Sequence, residues 1–397
     1  MKKTLAFFPL LTSAALAAPD FELNLNAHVN ATVGQASIDE ALLATHAHDP
    51  NDEFTLQGIE LSASATLGEY LAGFVAYNGF LDDEDKLDGE LEEAFLKFQN
   101  IPGGFEVRAG RLLNRVTTQN DQHLHSWHFV DANLITTRFL GDEGLISESG
   151  ELSYKLPFQH DSLISVAFGN VPPHDHAHHD HGHDEEHHDD HDDHDDHHDD
   201  HDDHSDDHDE HLEGEEALLA DNVLTFRWKG IYYHTDFQSY TYGASFLTGD
   251  NGFQERTNIY GADLTYLWRE NGLEAGGKHL RATGELIYRD FDYRSEDGDV
   301  QGSADEWGVH TGLGWGFIED WELGARYGYL QGVGEAIEGL PERHRASLAL
   351  TRAVTINEYV AGHARLQYNH DWLEEYGHEN SIWLQFQFDF GQGGEVR

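Results

Sequence analysis

Near the carboxy end the chain reads Ser381-Ile382-Trp383-Leu384-Gln385-Phe386-Gln387-Phe388-Asp389-Phe390. In an extended strand successive side chains point to opposite sides. Ile382, Leu384, Phe386, Phe388 and Phe390 then share one face, and Ser381, Trp383, Gln385, Gln387 and Asp389 share the other. A tilted strand of about ten residues, apolar outside and polar inside, suits a bilayer crossing beside a wet interior. The pattern recurs upstream. Trp307, Val309, Thr311, Leu313, Trp315 and Phe317 oppose His310 and four glycines. Trp321, Leu323, Ala325, Tyr327 and Tyr329 oppose Glu322 and Arg326, and Ile59, Leu61, Ala63, Ala65 and Leu67 oppose Glu60, Ser62, Ser64 and Thr66.

Sixteen such segments can be marked, starting near Phe21, Glu53, Tyr70, Gly89, Phe105, Ser149, Asp161, Asp221, Asp236, Thr257, His279, Asp305, Trp321, Arg343, Glu358 and Asn380. Tight connections at Gly68-Glu69, 100–103, 157–160, Glu319-Asp320 and 354–357 alternate with long ones around 34–52, 81–87, 114–146, 172–218, 249–256, 294–304, 332–342 and 370–378. Membrane barrels have short periplasmic turns and long external loops. The expected fold is therefore all-β: a transmembrane, antiparallel, up-and-down β-barrel of about sixteen strands. Its expected place is the outer membrane of a Gram-negative bacterium, with lipid as a partner.

Composition agrees. Among 397 residues are 8 Trp, 16 Tyr, 22 Phe and 40 Gly, with a mean hydropathy of −0.60. That value is too polar for a bundle of apolar helices. The formal charge of −52 argues against a nucleic-acid partner, which needs a basic face. The absence of cysteine excludes disulfides, thiolate metal sites and cysteine nucleophiles. Gly-x-Ser-x-Gly, His-Glu-x-x-His and phosphate-loop motifs are also absent, so no enzyme is expected. Lys2 and Lys3, the apolar run from Leu5 to Leu16 and Ala15-Leu16-Ala17 make residues 1–17 an expected export signal, with residues 18–397 as the barrel.

One insertion interrupts the pattern. His174, His176, His178, His179, His181 and His183 open a tract of 38 residues. His187, His188, His191, His194, His197, His198, His201, His204, His208 and His211 continue it, mostly in Asp-Asp-His phrases. Sixteen histidines and nineteen carboxylates leave no apolar face, so residues 174–211 are expected to be a disordered loop. It falls in the fourth long connection, hence outside the cell. Imidazole with carboxylate is a ligand set for Zn²⁺, and also for Cu²⁺ or Ni²⁺. Imidazole protonates near pH ~6.5, so capture should fail in mild acid.

Around Glu92-Glu93-Ala94-Phe95-Leu96-Lys97-Phe98 and Ile101-Pro102-Gly103-Gly104-Phe105-Glu106-Val107-Arg108-Ala109-Gly110-Arg111 the chain resembles phosphate-selective porins and similar outer-membrane barrels. The resemblance runs over residues 55–170. It implies a sixteen-stranded trimer whose third external loop folds inward as a constriction. Phosphate specificity is not carried over, because lysines are few and the chain is acidic. Barrels of this family usually end on an aromatic residue; here Phe390 is followed by seven more residues.

Inside that loop, His123, His125 and His128 form a second candidate metal cluster, with Asp121 and Asp131 nearby, and His46, His48 and Asp49 in the first external loop are a similar group. His310 and His363 fall on lumen-facing positions. Inward-facing Arg108, Arg281, Arg326 and Arg365, with Glu60, Glu106, Glu285 and Glu322, either set a field across the channel or pair along its wall. The functional expectation is a diffusion porin that concentrates and passes divalent metal ions, zinc foremost. Two alternatives remain: a closed barrel displaying a surface metal buffer, and a general or anion porin whose histidine loop is incidental.

Overall fold

The computed structural model describes residues 20–81, 86–157, 161–172, 212–272, 274, 276–295, 298–334, 337–357, 359–374 and 376–391. The export signal and the histidine tract lie outside the described residues. Sixteen strands follow in order. They are β1 Phe21–Ala36, β2 Phe54–Leu67, β3 Leu71–Leu81, β4 Leu87–Ile101, β5 Phe105–Leu113, β6 Ile146–Lys155, β7 Asp161–Asn170 and β8 Leu219–Thr235. The second half is β9 Gln238–Asn251, β10 Arg256–Arg269, β11 His279–Arg294, β12 Gln301–Ile318, β13 Trp321–Leu330, β14 Arg343–Asn357, β15 Val360–Leu373 and β16 Gly377–Gly391. Each pairs antiparallel with its chain neighbours. β1 also pairs with β16, from Asn26 opposite Gly391 to Ala36 opposite Ser381, and so closes the cylinder. Closure leaves no strand edge with unpaired backbone groups, the condition for spanning lipid with sheet.

The cylinder is apolar outside and polar within. Leu61 and Phe386 are 54% and 43% exposed on the outer wall, whereas Glu60 and Gln385 on the inner wall are each 1% exposed. All sixteen expected segments are present. Their ends differ where strands run beyond the lipid, because no alternation is imposed there: β12 begins at Gln301 rather than Asp305. β14 continues through Asn357, past the turn expected at 354–357, and β15 begins at Val360.

Two details of the wall bear on the interior. At the β3–β4 pairing the register shifts between Ala76 and Tyr77, so that Ala76 faces Glu93 and Tyr77 faces Leu91. This bulge inserts Glu92 as an extra residue and turns both it and Glu93 inward; both are buried. In β5, Gly110 has φ +141°, and a Cβ there would lie 2.1 Å from the Ala94 carbonyl oxygen. Gly110→Ala is expected to open the β4–β5 pairing at a cost of about 1–3 kcal/mol, read as a lower thermal transition of the folded barrel.

The connection 114–145 turns into the barrel. It carries one short helix, α1, Leu134–Leu140, capped by Asn133, whose side chain accepts from Thr136 N at 2.8 Å. Leu134, Ile135, Phe139 and Leu140 pack with Leu219, Ile259, Ile287 and Leu330 in an apolar cluster. The helix lies close against the wall at Gly308, where an added Cβ would come within 2.8 Å of Ile135.

Candidate functional site in the barrel lumen

Loop 1 (37–53) and loop 3 (114–145) fill much of the interior together. The wall grips them largely by their backbone. Gln57 of β2 donates to the carbonyls of His48 and Val130, both at 2.7 Å. Arg365 of β15 donates to the Trp127 carbonyl at 3.0 Å, and Gln387 of β16 to that of His125 at 3.0 Å. Arg343 and Arg345 of β14 both donate to the Leu43 carbonyl at 2.7 Å. The loops also hold each other, through Ala132 N donating to Asp49 Oδ1 at 2.7 Å.

A cationic wall faces loop 3 from β13 to β15. Arg326 Nη2 lies 2.5 Å from Asp131 Oδ1, and Arg345 Nη1 2.6 Å from Asp131 Oδ2. Gln367 also donates to Asp131, and Arg345 pairs with Asp371 at 2.7 Å. Burial alone would raise the Asp131 carboxyl; Arg326 and Arg345 outweigh it and hold it below the usual carboxylate range. Asp49, buried beside Asp131, is pushed up. On β12, Glu306 receives Arg289 and, at 2.9 Å, Arg138 of α1.

The acidic wall lies across β2 and β4. His123 Nδ1 sits 2.6 Å from Glu92 Oε2 and 3.4 Å from Glu60 Oε1, and its Nε2 sits 3.1 Å from Glu93 Oε2. His125 Nδ1 lies 2.8 Å from Glu60 Oε2, and its ring stacks on His28 at 3.8 Å. His28 in turn reaches Asp389 at 2.8 Å. Across the same wall His48 Nε2 lies 3.2 Å from Glu90 and 3.5 Å from Glu92. Burial would lower both His48 and His123. Hydrogen bonds to Glu90 and Glu92 instead hold His48 at about 10, and Glu92 and Glu60 hold His123 well above 6.5. His46, buried and next to His48, falls to about 3.

The expected trio of loop histidines is therefore split. His123 and His125 meet the acidic wall. His128 lines a separate cavity of about 150 Å³ with Arg281, His310 and Arg326. There burial, then Arg281, lowers His128 to about 3. Asp121 pairs with Lys229 at 2.9 Å, and Asp131 belongs to the cationic wall, so neither joins the histidines. His46, His48 and Asp49 turn inward from their external loop. His310 is buried at the lumen, and His363 is partly buried there.

Of the eight charges expected to line the channel, Arg108, Arg281, Glu106 and Glu322 pair along the wall, whereas Arg326, Arg365, Glu60 and Glu285 engage loop 3. Arg108 binds Glu151 through two contacts of 2.8 and 2.9 Å, and Lys97 lies 3.5 Å from Glu106. Glu285 accepts from Thr118 of loop 3, and Glu322 lies 2.6 Å from His279 and 3.7 Å from Arg281. Among the described residues, three groups of side chains could hold a metal ion, each with ligand atoms within 4.8 Å: His28, Glu60 and His125; His48, Glu90 and Glu92; and Glu60, Glu92 and His123.

A closed sixteen-strand cylinder with an apolar outer face, a polar lumen and an inward third loop is an outer-membrane β-barrel. Solved structures with the same fold include the DcaP outer-membrane channel of Acinetobacter baumannii, at 11% identity and TM-score 0.54, covering 97% of this chain and all of that one. An anion-selective porin from Comamonas acidovorans shares 13% identity at TM-score 0.53, covering 94% of this chain and all of its own. OmpT of Vibrio cholerae, folded in vitro and in trimer form, shares 8% identity at TM-score 0.51, covering 93% of this chain and 99% of that one. In sequence, an uncharacterized protein of Aquifex aeolicus (strain VF5) is 31% identical over 115 residues, 28% of this chain; the match spans about a quarter of that protein's length (23%). No protein-family model matches the chain.

Proposed function

We propose that the protein is a diffusion porin that gathers divalent metal ions, zinc foremost, at its outer mouth and passes them to the periplasm. The observation that carries this reading is the tract 174–211. Its sixteen histidines lie between β7 and β8, in a connection at the long-loop end of the barrel. Such a tract forms many overlapping sites, each weakened by ordering the chain, so its effect lies in number and local concentration. The negative field of the chain draws cations toward it. The proposed assembly is a trimer, as in the trimer form of the Vibrio protein.

Zinc titration of the purified barrel, with and without residues 174–211, tests capture. The intact chain is expected to bind several zinc ions more than the shortened one; equal stoichiometry would sink the idea. Planar-bilayer conductance separates a channel from a closed display scaffold, which would give no steps. One observation favours a different solute: Arg281 and Arg326 border the cavity of about 150 Å³ beside His128. Reversal potentials in a salt gradient decide, since anion preference would support that reading and make the tract incidental.

A further inference from the structure

The acidic wall offers a second set of ligands, fixed on the barrel itself. We propose that His123, Glu60 and Glu92 form one built site in the lumen for a divalent first-row transition ion. Glu93 and His125 position its ligands. This deepens the reading of the chain as a metal-handling porin and rests on it, but it concerns different residues and is tested separately.

The ligands come from three elements, β2, β4 and loop 3, and the cross-strand register brings the wall residues together. His28 stands opposite Glu60, Glu60 opposite Asn78, and Asn78 opposite Glu90. The bulge adds Glu92 and Glu93 to the same side. A tetrahedral ion bound at about 2.0–2.2 Å holds its ligand atoms roughly 3.4 Å apart. The contacts of 2.6 and 3.4 Å from His123 Nδ1 to Glu92 and Glu60 need only a small opening to reach that spacing. One nitrogen and two carboxylate oxygens, with no sulfur, suit zinc and its first-row neighbours.

Two independent observations point to a ligand. Glu60 is 1% exposed, and its Oε1, aimed at His123 Nδ1, makes no hydrogen bond. A buried carboxylate oxygen without a donor is costly, and a bound cation removes that cost. The other ring nitrogen of His123 faces Glu93 Oε2 at 3.1 Å. A carboxylate behind the imidazole is how metal-binding histidines are oriented and made more basic. The second oxygen of Glu60 is likewise held, by His125 at 2.8 Å.

Beside the site lies a cavity of about 30 Å³, bordered by His46, His48, Glu90, Glu92 and His123. It has room for a single ion or water. Glu92 belongs both to the site and to the group with His48 and Glu90, and Glu60 belongs both to it and to the group with His28 and His125. Adjacent groups that share a carboxylate let an ion step along without leaving all its ligands at once, the requirement for conduction rather than trapping.

The test uses zinc and a chelator competition assay on the folded barrel lacking residues 174–211, with heat-modifiable gel mobility as the check of folding. About one zinc per chain is expected. His123→Gln and Glu60→Gln should each weaken it at least tenfold, Glu93→Gln by roughly 10–100-fold, and His128→Gln not at all. A parallel arm keeps the full chain. Micromolar zinc should interrupt its single-channel current, and His123→Gln should need at least tenfold more. No zinc on the shortened barrel, or the same affinity after His123→Gln, overturns the lumen site. External capture is judged only by the stoichiometry lost on deletion, so the two ideas fail separately.

Discussion

Asp131→Ala is expected to free the middle of loop 3 from the cationic wall and to enlarge the conductance step. The change removes the acceptor of Arg326, Arg345 and Gln367 at once, leaving the buried Arg326 without its carboxylate while Arg345 keeps Asp371. Breaking a buried ion pair from one side costs on the order of 3–5 kcal/mol. If that falls on the loop rather than the barrel, it moves the loop's closed-to-open ratio by about two to four powers of ten. Single-channel recording and protease cleavage within 114–145 read the result. Unchanged conductance together with a protected loop would show that the backbone clamps suffice alone. The pH dependence follows in sign. A carboxyl held below its ordinary 3.8 contributes fully above that value and loses its contribution only as pH falls further. Between pH 7 and 5 the latch should stay shut, so changes in current over that range have another origin.

Glu306→Ala should damage the barrel itself. Glu306 is fully buried and is the carboxylate partner of both Arg289 and Arg138. Arg289 is 0% exposed, lies over the rings of Phe139 and Phe291 at 5.4 and 5.1 Å, and already has two nitrogens without hydrogen bonds. Removing its counter-charge strands a cation beside the apolar cluster under α1, again a cost of about 3–5 kcal/mol. Arg138 keeps the carbonyls of Gly339 and Pro341 at 3.1 and 3.2 Å. The double variant Arg289→Met with Glu306→Leu is therefore expected to regain most of the loss, since an apolar pair of similar volume replaces the charges. Urea midpoints of refolded barrel in detergent compare the two. A single variant as stable as the parent would remove the pair from the account of how α1 is held.

The cylinder was legible because lipid enforces the alternation. Ile382 to Phe390 had to face outward on every second residue, and the sixteen segments marked by that rule are the sixteen strands. The inward third loop was legible only through resemblance, not from its residues. The interior was read less well, because period two says which residues face inward but not which strands stand beside each other. Glu92 and Glu93 show the limit. Strict alternation would put one of them in lipid, and only the bulge turns both inside. The doublet of carboxylates in a spanning segment was the available signal. His128 was grouped with His123 and His125 by closeness in sequence. The chain turns at Leu124–Ser126 and carries it to Arg281 and Arg326 instead. Gln57, Arg345, Gln367 and Asp371 have no local signature at all, since their roles depend on loops that arrive from far along the chain.

Besides the Asp131 latch and the histidine contacts, the wall grips both lumenal loops at several points through carbonyl oxygens, which every residue possesses. At those points the path of the chain does not depend on which side chain it carries. Residues 123, 125 and 128 can be exchanged in evolution, or randomised in a library, while the strap that carries them keeps its course. A fold arranged this way can acquire a new solute by changing a handful of codons without reinventing its scaffold.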